Sequence, residues 1–573
     1  MHRFRVWAPH AARADVLVRD ARHAMTAAGG GWFEAVVADA GPGADYAFAL
    51  DGGPPRPDPR APFQPAGVHG PSRLVDHGAF RWTDAGWRAG PLAAAVLYEL
   101  HVGTFTPAGT FGAAIAKLPR LVDLGVTAVE LMPVAEFPGT HGWGYDGVDL
   151  WAPHHAYGGP DGLKRLVDAC HAHGLAVVLD VVYNHLGPDG NHLGEFGPYF
   201  TDRYRTPWGA AVSFDGPGSD EVREFFLANA CMWLRDYHLD GLRLDAVHAI
   251  VDTSAVHFLE EVAARVGALA AALGRTLWVI LESDLNDPRL VRRREAGGYG
   301  ADAQWSDDFH HALHAVLTGE RDGYYEDFGT LEDLAEALRA AFVYAGRHSR
   351  HRGRRHGRPA TGLAGTRFLG YFQNHDQVGN RACGERSAAL VSPGRLRLAA
   401  ALVLTAPFVP LLFAGEEWGA SSPFLYFTDH QDAALGDAVR EGRRRELAAF
   451  GWRPEDVPDP QAEETFRRSK LRWEERDAPG HAALLDWHRR LIAFRRATPA
   501  LTDGRLDAVR VRVDEPARWL TMTRGPVTVA CNFGPDPVRV PVAGGAIRLA
   551  SAAGCRMAGA EVVLPGESVA ILA

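Results

Sequence analysis

The sequence predicts an α/β chain built around a closed TIM, or (β/α)8, barrel, with β-rich segments at both ends. Three observations predict it. Eight short apolar runs between residues 95 and 416 read as strands, and segments with helical periodicity separate most of them. Residues 1–88 hold only short apolar stretches broken by Gly and Pro turns, such as "RFRVWAP", "ADVLVRD" and "DYAFALDG". From about residue 505 the short β-like pattern returns in "AVRVRV", "WLTMTR", "VTVACNF" and "EVVLPGESVAILA".

The eight runs are "AVLYELHV" (95–102), "VTAVELMPV" (126–134), "LAVVLDVVYNH" (175–185), "GLRLDAV" (241–247), "LWVILES" (277–283), "ADAQWS" (301–306), "RFLGYFQNHD" (367–376) and "FVPLLFAGE" (408–416). Eight parallel strands joined by crossover helices close around a filled core. A doubly wound open sheet is the structural rival, but "ELHVGTFTPAG" after the first run is not the GxGxxG phosphate turn that such sheets usually offer. The boundaries expected are 1–88 for the first unit, 89–504 for the barrel with a short insertion near 186–217, and 505–573 for an antiparallel C-terminal unit.

The totals narrow the function. Lys and Arg number 60 against 70 Asp and Glu, a net charge of -10, which gives no reason to expect nucleic acid or an anionic membrane as partner. The arginine-rich run "GRHSRHRGRRHGRP" (346–359) reads as a solvated surface loop. The N-terminus lacks the apolar stretch of a signal peptide, and the longest apolar run, from residue 398, is broken by Pro407 and Pro410. Five scattered cysteines form no CxxC pair, so a reducing cytoplasm is the default location. Histidines are many, at 26, yet no HExxH or similar cluster organises them, and neither a metal nor a cofactor is expected.

Reactive groups of a TIM barrel sit at the C-terminal ends of its strands. There the third run carries Asp180, Asn184 and His185; the fourth carries Arg243, Asp245 and His248; the fifth carries Glu282; and the seventh carries Asn374, His375, Asp376 and Gln377. Residues two apart on a strand share a face, so Arg243 and Asp245 point the same way. Buried charge is costly unless it is paired, and carboxylates recurring on three strands suit a common site. Asp245, Glu282 and Asp376 fit glycosidic bond cleavage by a nucleophile, an acid/base and a third stabilising carboxylate. A divalent-metal hydrolase is the chemical alternative, but Arg243 would compete with a cation beside Asp245.

"DVVYNH", "DGLRLDAVH", "ILES" and "FQNHDQ" resemble, in order and spacing, the four signature regions of the α-amylase superfamily. The resemblance covers residues 95 to 500, and "FRVWAPHAARADVLV" with "DYAFALDG" resembles the β-sandwich that precedes the barrel in branching and debranching enzymes. It implies Asp245 as nucleophile, Glu282 as general acid/base and Asp376 as transition-state stabiliser. It further implies that His185, Arg243 and His375 line the cleaved sugar and that Tyr145 in "GWGYD" stacks on it.

Loop stretches are similar to those of the maltooligosyltrehalose trehalohydrolases: "PHHAYGGPDGLKRLVDACH", "YFTDRYRTPWG", "ESDLNDPRLV", "DAQWSDDFHHALHAVLTGE" and "FAGEEWGASSPFLYFTDH". This implies hydrolysis of the α-1,4 bond next to the terminal trehalose of maltooligosyl trehalose, in a pathway that also contains a maltooligosyltrehalose synthase. A 1,4-α-glucan branching enzyme and a non-catalytic glycan-binding barrel are the alternatives. The compact 186–217 segment implies no obligatory calcium, although Asn184 retains a ligand-type side chain. Asp307, Asp308, His310 and His311 in "SDDFHH" are candidates for contacts to the leaving disaccharide, or else Ser306 caps a helix whose first turn holds the acids. Trp208 is either a stacking platform or loop packing. Gln377, Asn380 and, further along, Glu385 are candidate polar contacts, His248 joins the substrate-contact set, and Glu416 and Glu417 read as structural.

Overall fold

A computed structural model describes residues 1–448 and 452–573. All eight predicted runs become strands of one closed parallel barrel. In chain order these are β1 (Leu97–Leu100), β2 (Ala128–Leu131), β3 (Ala176–Val181), β4 (Gly241–Leu244), β5 (Trp278–Leu281), β6 (Ala303–Trp305), β7 (Phe368–Gly370) and β8 (Val409–Phe413). Each strand is shorter than its apolar run. The run continues apolar past the last ladder bond because the segment beyond, which carries the polar residues, is also buried.

Alternation fixes what faces the barrel axis. Leu97, Ala128, Ala176, Val178, Trp278, Ile280, Ala303, Trp305, Leu369, Tyr371, Val409 and Leu411 pack together as its centre. The same parity puts Glu99, Glu130, Asp180 and Arg243 on the inner face one step nearer the C-terminal ends, with Glu99 opposite Glu130 and Asp180 opposite Arg243 in the ladders. The barrel is thus apolar at its base and ionic at its top.

The N-terminal residues form a three-stranded sheet (His2–Trp7, Trp32–Val37, Thr26–Gly29) and a four-stranded one (Ala21–Ala24, Ala14–Val18, Asp45–Leu50, Ser72–Arg73). At the other end, an antiparallel five-stranded sheet includes Val509–Asp514 through Ser568–Leu572, with a three-stranded sheet behind it. One hydrophobic core runs without a break from Phe4 through the barrel surface to Ile571. Among the described residues no helix is long and apolar enough to cross a membrane.

The 186–217 segment holds a short helix (Leu193–Phe196) and a hairpin (Phe200–Thr206 with Gly209–Val212) whose turn carries Trp208. The arginine-rich run is more than a solvated loop. It folds into a small ribbon (His348–Ser349 with Arg354–Arg355) and turns Arg352 and His356 inward, where Arg352 lies 2.9 Å from the Asp284 carboxylate and His356 Nε2 bonds the Asp284 carbonyl at 2.7 Å. Neighbouring arginines stay outside, which hid this pair in the sequence.

The C-terminal sheet is fastened to the barrel base by Arg524. Its guanidinium donates to the carbonyls of Thr405 and Ala406, both at 2.7 Å, and to that of Asp503 at 2.6 Å. Arg524→Met would strand these buried carbonyls, at a cost of about 3 kcal/mol. Because residues 405–406 precede β8, on the face opposite the site, urea unfolding should show the loss while activity at low temperature stays near wild type.

Candidate active site

Arg243 stands at the centre of the inner face, fully buried. Its Nη1 donates to Asp180 Oδ2 (2.6 Å) and Asp245 Oδ1 (3.0 Å), its Nη2 lies 2.9 Å from Glu282 Oε2, and its guanidinium lies over the Trp305 ring at 4.2 Å. One planar cation therefore holds two of the three carboxylates that the sequence singled out, on neighbouring strands.

The two carboxylates differ in state. Burial acts to raise the Asp245 carboxyl, but Arg243, His185, a hydrogen bond from Asn184 and His375 outweigh it and hold Asp245 below the ordinary carboxylate value. Asn184 Nδ2 donates to Asp245 Oδ2 at 2.8 Å and to its carbonyl at 2.7 Å, while Asn184 Oδ1 bonds His185 Nδ1. Both ends of this amide are engaged, so Asn184 is spent on the carboxylate rather than turned out as a ligand. Glu282 is pushed well above the ordinary value by burial, with Asp245, Asp376 and Asp307 adding and Arg243 opposing. Glu282 Oε2 also accepts from the Ala246 N–H at 2.7 Å. Oε2 thus takes the Ala246 N–H and lies against the Arg243 cation, which leaves Oε1 for the proton of the neutral acid.

Ala246 has φ 39° and ψ 49°, the left-handed region in which a β-carbon costs roughly 1–2 kcal/mol. That turn ends β4 immediately after Asp245 and aims the next N–H at Glu282. Local strain at this point couples the two carboxylates through the backbone.

A second chain of bonds fixes the opposite wall. Glu99 accepts from the His375 N–H (2.9 Å) and bonds His375 Nδ1 (2.5 Å); His375 Nε2 bonds the Tyr145 hydroxyl (2.7 Å); and that hydroxyl donates to Asp180 Oδ2 (2.6 Å). Burial lowers His375, but Glu99 and Asp376 prevail and raise it to about 9, so the ring is an imidazolium. Tyr145 stacks on it, centroids 5.2 Å apart. Asp376, a third exposed, lies 3.6 Å from His375 Nε2, and its Oδ1 accepts from Asn380 Nδ2 at 3.1 Å.

The remaining candidates divide. His185 lies at the site, and Trp208, almost half exposed, stacks on it with ring centroids 5.2 Å apart and meets His248 edge-on at 6.5 Å. His248 is at the rim, 4.0 Å from Asp284. Asp307 faces the cleft, bonded by the Tyr371 hydroxyl; burial and the neighbouring acids Asp284, Asp308 and Asp376 push it up to about 7. His311 packs its ring on Tyr324 at the cleft wall. Gln377 Oε1 is 3.5 Å from the Tyr325 hydroxyl, and Asn380 Oδ1 accepts from Arg443 at 3.2 Å.

Asp308 and His310 are corrections to the sequence reading. Asp308 Oδ2 accepts from the N–H groups of Val343 and Tyr344 and from Asn286 Nδ2, and His310 is held between the Phe372 carbonyl and the Tyr325 hydroxyl. Both have their polar atoms taken by interior partners, whereas Asp307 stays partly exposed. Ser306 is a second correction: it precedes the helix Asp307–Thr318, yet its side chain makes no capping bond. Glu385 pairs with Arg381 at 3.5 Å and is set back from Asp376. Glu416 and Glu417 accept from backbone N–H groups of Phe413 and Gly415, and Tyr98 donates to Glu417.

Sequence reasoning missed Glu99, the Asp284–Arg352 pair and Arg443. Glu99 had a signal, a lone acid inside the apolar run "AVLYELHV". Among the described residues, Glu136, His154 and His155 group their ligand-type atoms, but the separations of 2.7 and 3.1 Å are those of hydrogen bonds to a buried carboxylate.

Comparison with known proteins agrees with this geometry. Residues 82–203 match the family model described as alpha amylase, catalytic domain, and residues 504–571 match a domain of unknown function, DUF3459. A protein of Rhizobium sp. (strain M-11) named malto-oligosyltrehalose trehalohydrolase is 50% identical, over 100% of this chain and 97% of its own. The chain belongs to the malto-oligosyltrehalose trehalohydrolase family. A crystal structure of a Salmonella typhimurium protein superposes with a TM-score of 0.92 at 40% identity, covering 100% of this chain and 97% of the other. A 1,4-alpha-glucan branching enzyme of Corynebacterium jeikeium matches at 31% over only 57% of this chain and 50% of its own.

The opposite shifts of Asp245 and Glu282 predict a bell-shaped profile. kcat/KM should rise with pH as Asp245 ionises, below the ordinary carboxylate range, and fall as Glu282 loses its proton, above that range. Glu282→Gln, assayed on a glycosyl fluoride that needs no protonation, should lose the alkaline limb; persistence of that limb would assign it to another group.

Proposed function

We propose that the protein is a retaining hydrolase that cuts the α-1,4-glucosidic bond next to the terminal trehalose of maltooligosyl trehalose and releases trehalose. The observation that carries the reading is the pair of carboxyl groups on one guanidinium, Asp245 held ionised and Glu282 held protonated, in a chain of this family. An Asp245 oxygen attacks the anomeric carbon as the bond to the trehalose oxygen breaks, and the proton on Glu282 passes to that oxygen. Water then attacks the same carbon, gives its proton to Glu282 and frees Asp245. Asp376, at the exposed end of the Glu99–His375 chain, stabilises the positive charge on the sugar ring in both steps.

His185, Tyr145 and His375 line the ring that reacts, with Trp208 as an aromatic wall above it. The leaving disaccharide lies toward Asp307, His311, the Asp284–Arg352 pair and Asn380. A cavity of about 270 Å³ opens beside Asn380, walled by Tyr324, Arg381, Glu446 and Trp452 among others, and has room for a sugar ring. A site built of buried polar groups for one disaccharide leaves them unpaired with another, and that difference supplies the selectivity. In this reading residues 89–504 carry the chemistry, and 1–88 and 505–573 brace the barrel. The substrate comes from a reaction that converts the reducing end of a maltooligosaccharide into an α,α-1,1 bond, as a maltooligosyltrehalose synthase does. The cytoplasm, which keeps free cysteines reduced, is the compartment this reading favours.

Incubation with maltooligosyl trehalose should release trehalose, and plain maltooligosaccharide should be cut on the order of 10²-fold more slowly. NMR during the first turnovers should show the new reducing end as the α-anomer. Branched product without free trehalose, or a β-anomer first, overturns the reading.

A further inference from the structure

Beneath the three carboxylates lies a fourth acid that the chemistry above does not use. Glu130, on β2, is buried, and neither of its carboxylate oxygens has a protein hydrogen-bond partner. Three polar atoms of the Asp180–Arg243 pair are in the same condition: Asp180 Oδ1 and Arg243 Nε and Nη2. The ladders bring them together. Glu130 is opposite Val178 on β3, Asp180 is two residues further along the same face of that strand, and Arg243 is opposite Asp180 on β4. The charged groups acting on Glu130 are Glu99, Arg243, Asp180 and His375, which are the members of both hydrogen-bond chains.

These atoms complement one another. Arg243 Nε is a donor and Asp180 Oδ1 an acceptor. Burial, reinforced by Glu99, raises Glu130 well above the ordinary carboxyl value, so it carries its proton and offers both a donor and an acceptor. Polar groups on adjoining strands of one barrel face suit a buried water, which typically makes about three hydrogen bonds.

We propose that Glu130, Asp180 Oδ1 and Arg243 Nε together bind one ordered water in the barrel interior, and that through it Glu130 is a positioning residue for the Asp180–Arg243 pair. The water fixes the Nε end of the guanidinium whose Nη1 holds Asp245 and whose Nη2 lies against Glu282. Neutral Glu130 does this without adding another negative charge below Asp245. The inference rests on the assignment of Asp245 and Glu282 as the reacting pair, which Asp245→Asn tests separately: that variant should lose on the order of 10³-fold or more in kcat.

The test compares Glu130→Gln with Glu130→Met. Glutamine keeps a donor and an acceptor and cannot ionise, so it should retain kcat within about threefold, with both limbs of the pH profile in place. Methionine fills similar space without bonding the water. It should lower kcat about tenfold with little change in KM and move the acid limb upward, because a loosened Arg243 holds Asp245 less firmly. A crystal structure of the unaltered protein should show a water within hydrogen-bond distance of all three atoms, and this readout stands even where the methionine variant fails to fold. Equal losses in both variants, a methionine variant with wild-type kcat and pH profile, or Glu130 bonded directly to Asp180 with no water, would overturn the proposal.

Discussion

The site depends on a cation that has been taken completely out of water. Stripping a guanidinium of solvent costs several kcal/mol, and the cost is recovered only with good geometry and satisfied donors. Arg243 recovers much of it by taking Asp180, Asp245 and Glu282 at once and resting its face on Trp305, although its Nε has no protein partner. Each carboxylate in turn would be prohibitive to bury without it. The constellation is therefore mutually required: removing one member leaves an uncompensated charge, which is why the apolar strand "GLRL" can carry an arginine at all.

The same cation does not make its partners alike. Asp245 has the Asn184 amide and His185 beside it as well as Arg243, and remains ionised. Glu282 has one backbone N–H and three neighbouring acids, and remains protonated. An ionised and a protonated carboxyl thus coexist on one guanidinium at one pH, because their environments push them in opposite directions, as the proposed roles of nucleophile and acid require. The Glu99–His375–Tyr145–Asp180 chain closes the circuit from the other wall and brings a second positive charge to Asp376.

Much of this was legible in the sequence, and the reasons are specific. Parallel strands buried on both faces read as continuous apolar runs, so all eight barrel strands were found. Acids breaking such runs near their C-terminal ends announced Asp180, Asp245 and Glu282. What was not legible is direction. "SDDFHH" offers four candidate side chains, and only their tertiary partners decide that Asp307 faces the cleft while Asp308 and His310 are held by the protein. Arg352 was masked by the arginines around it, and its partner Asp284 lies on a different strand end, so no local pattern joins them. Glu99 and Glu130 were visible as lone acids in "YEL" and "VEL", but their meaning depends on the ladder register that sets them side by side.

The backbone completes what the side chains begin. Arg243 alone could hold Asp245 and Glu282 in several relative orientations, since a carboxylate can rotate on a guanidinium. Ala246 removes that freedom. Its left-handed conformation is strained for a residue with a β-carbon, and a glycine would adopt it more easily. A glycine would also let the peptide relax away, and with it the N–H that fixes Glu282 Oε2. Holding the turn rigid keeps the donor in place and leaves Oε1 as the oxygen that carries the proton. The strain is offset by the ladder bonds on either side, where the Asp245 N–H donates to the Val181 carbonyl and the Val247 N–H to that of Glu282. Asp245 and Glu282 are thus tied to each other through one peptide unit, and in the proposed reaction the chain itself sets which oxygen gives up the proton before any substrate arrives.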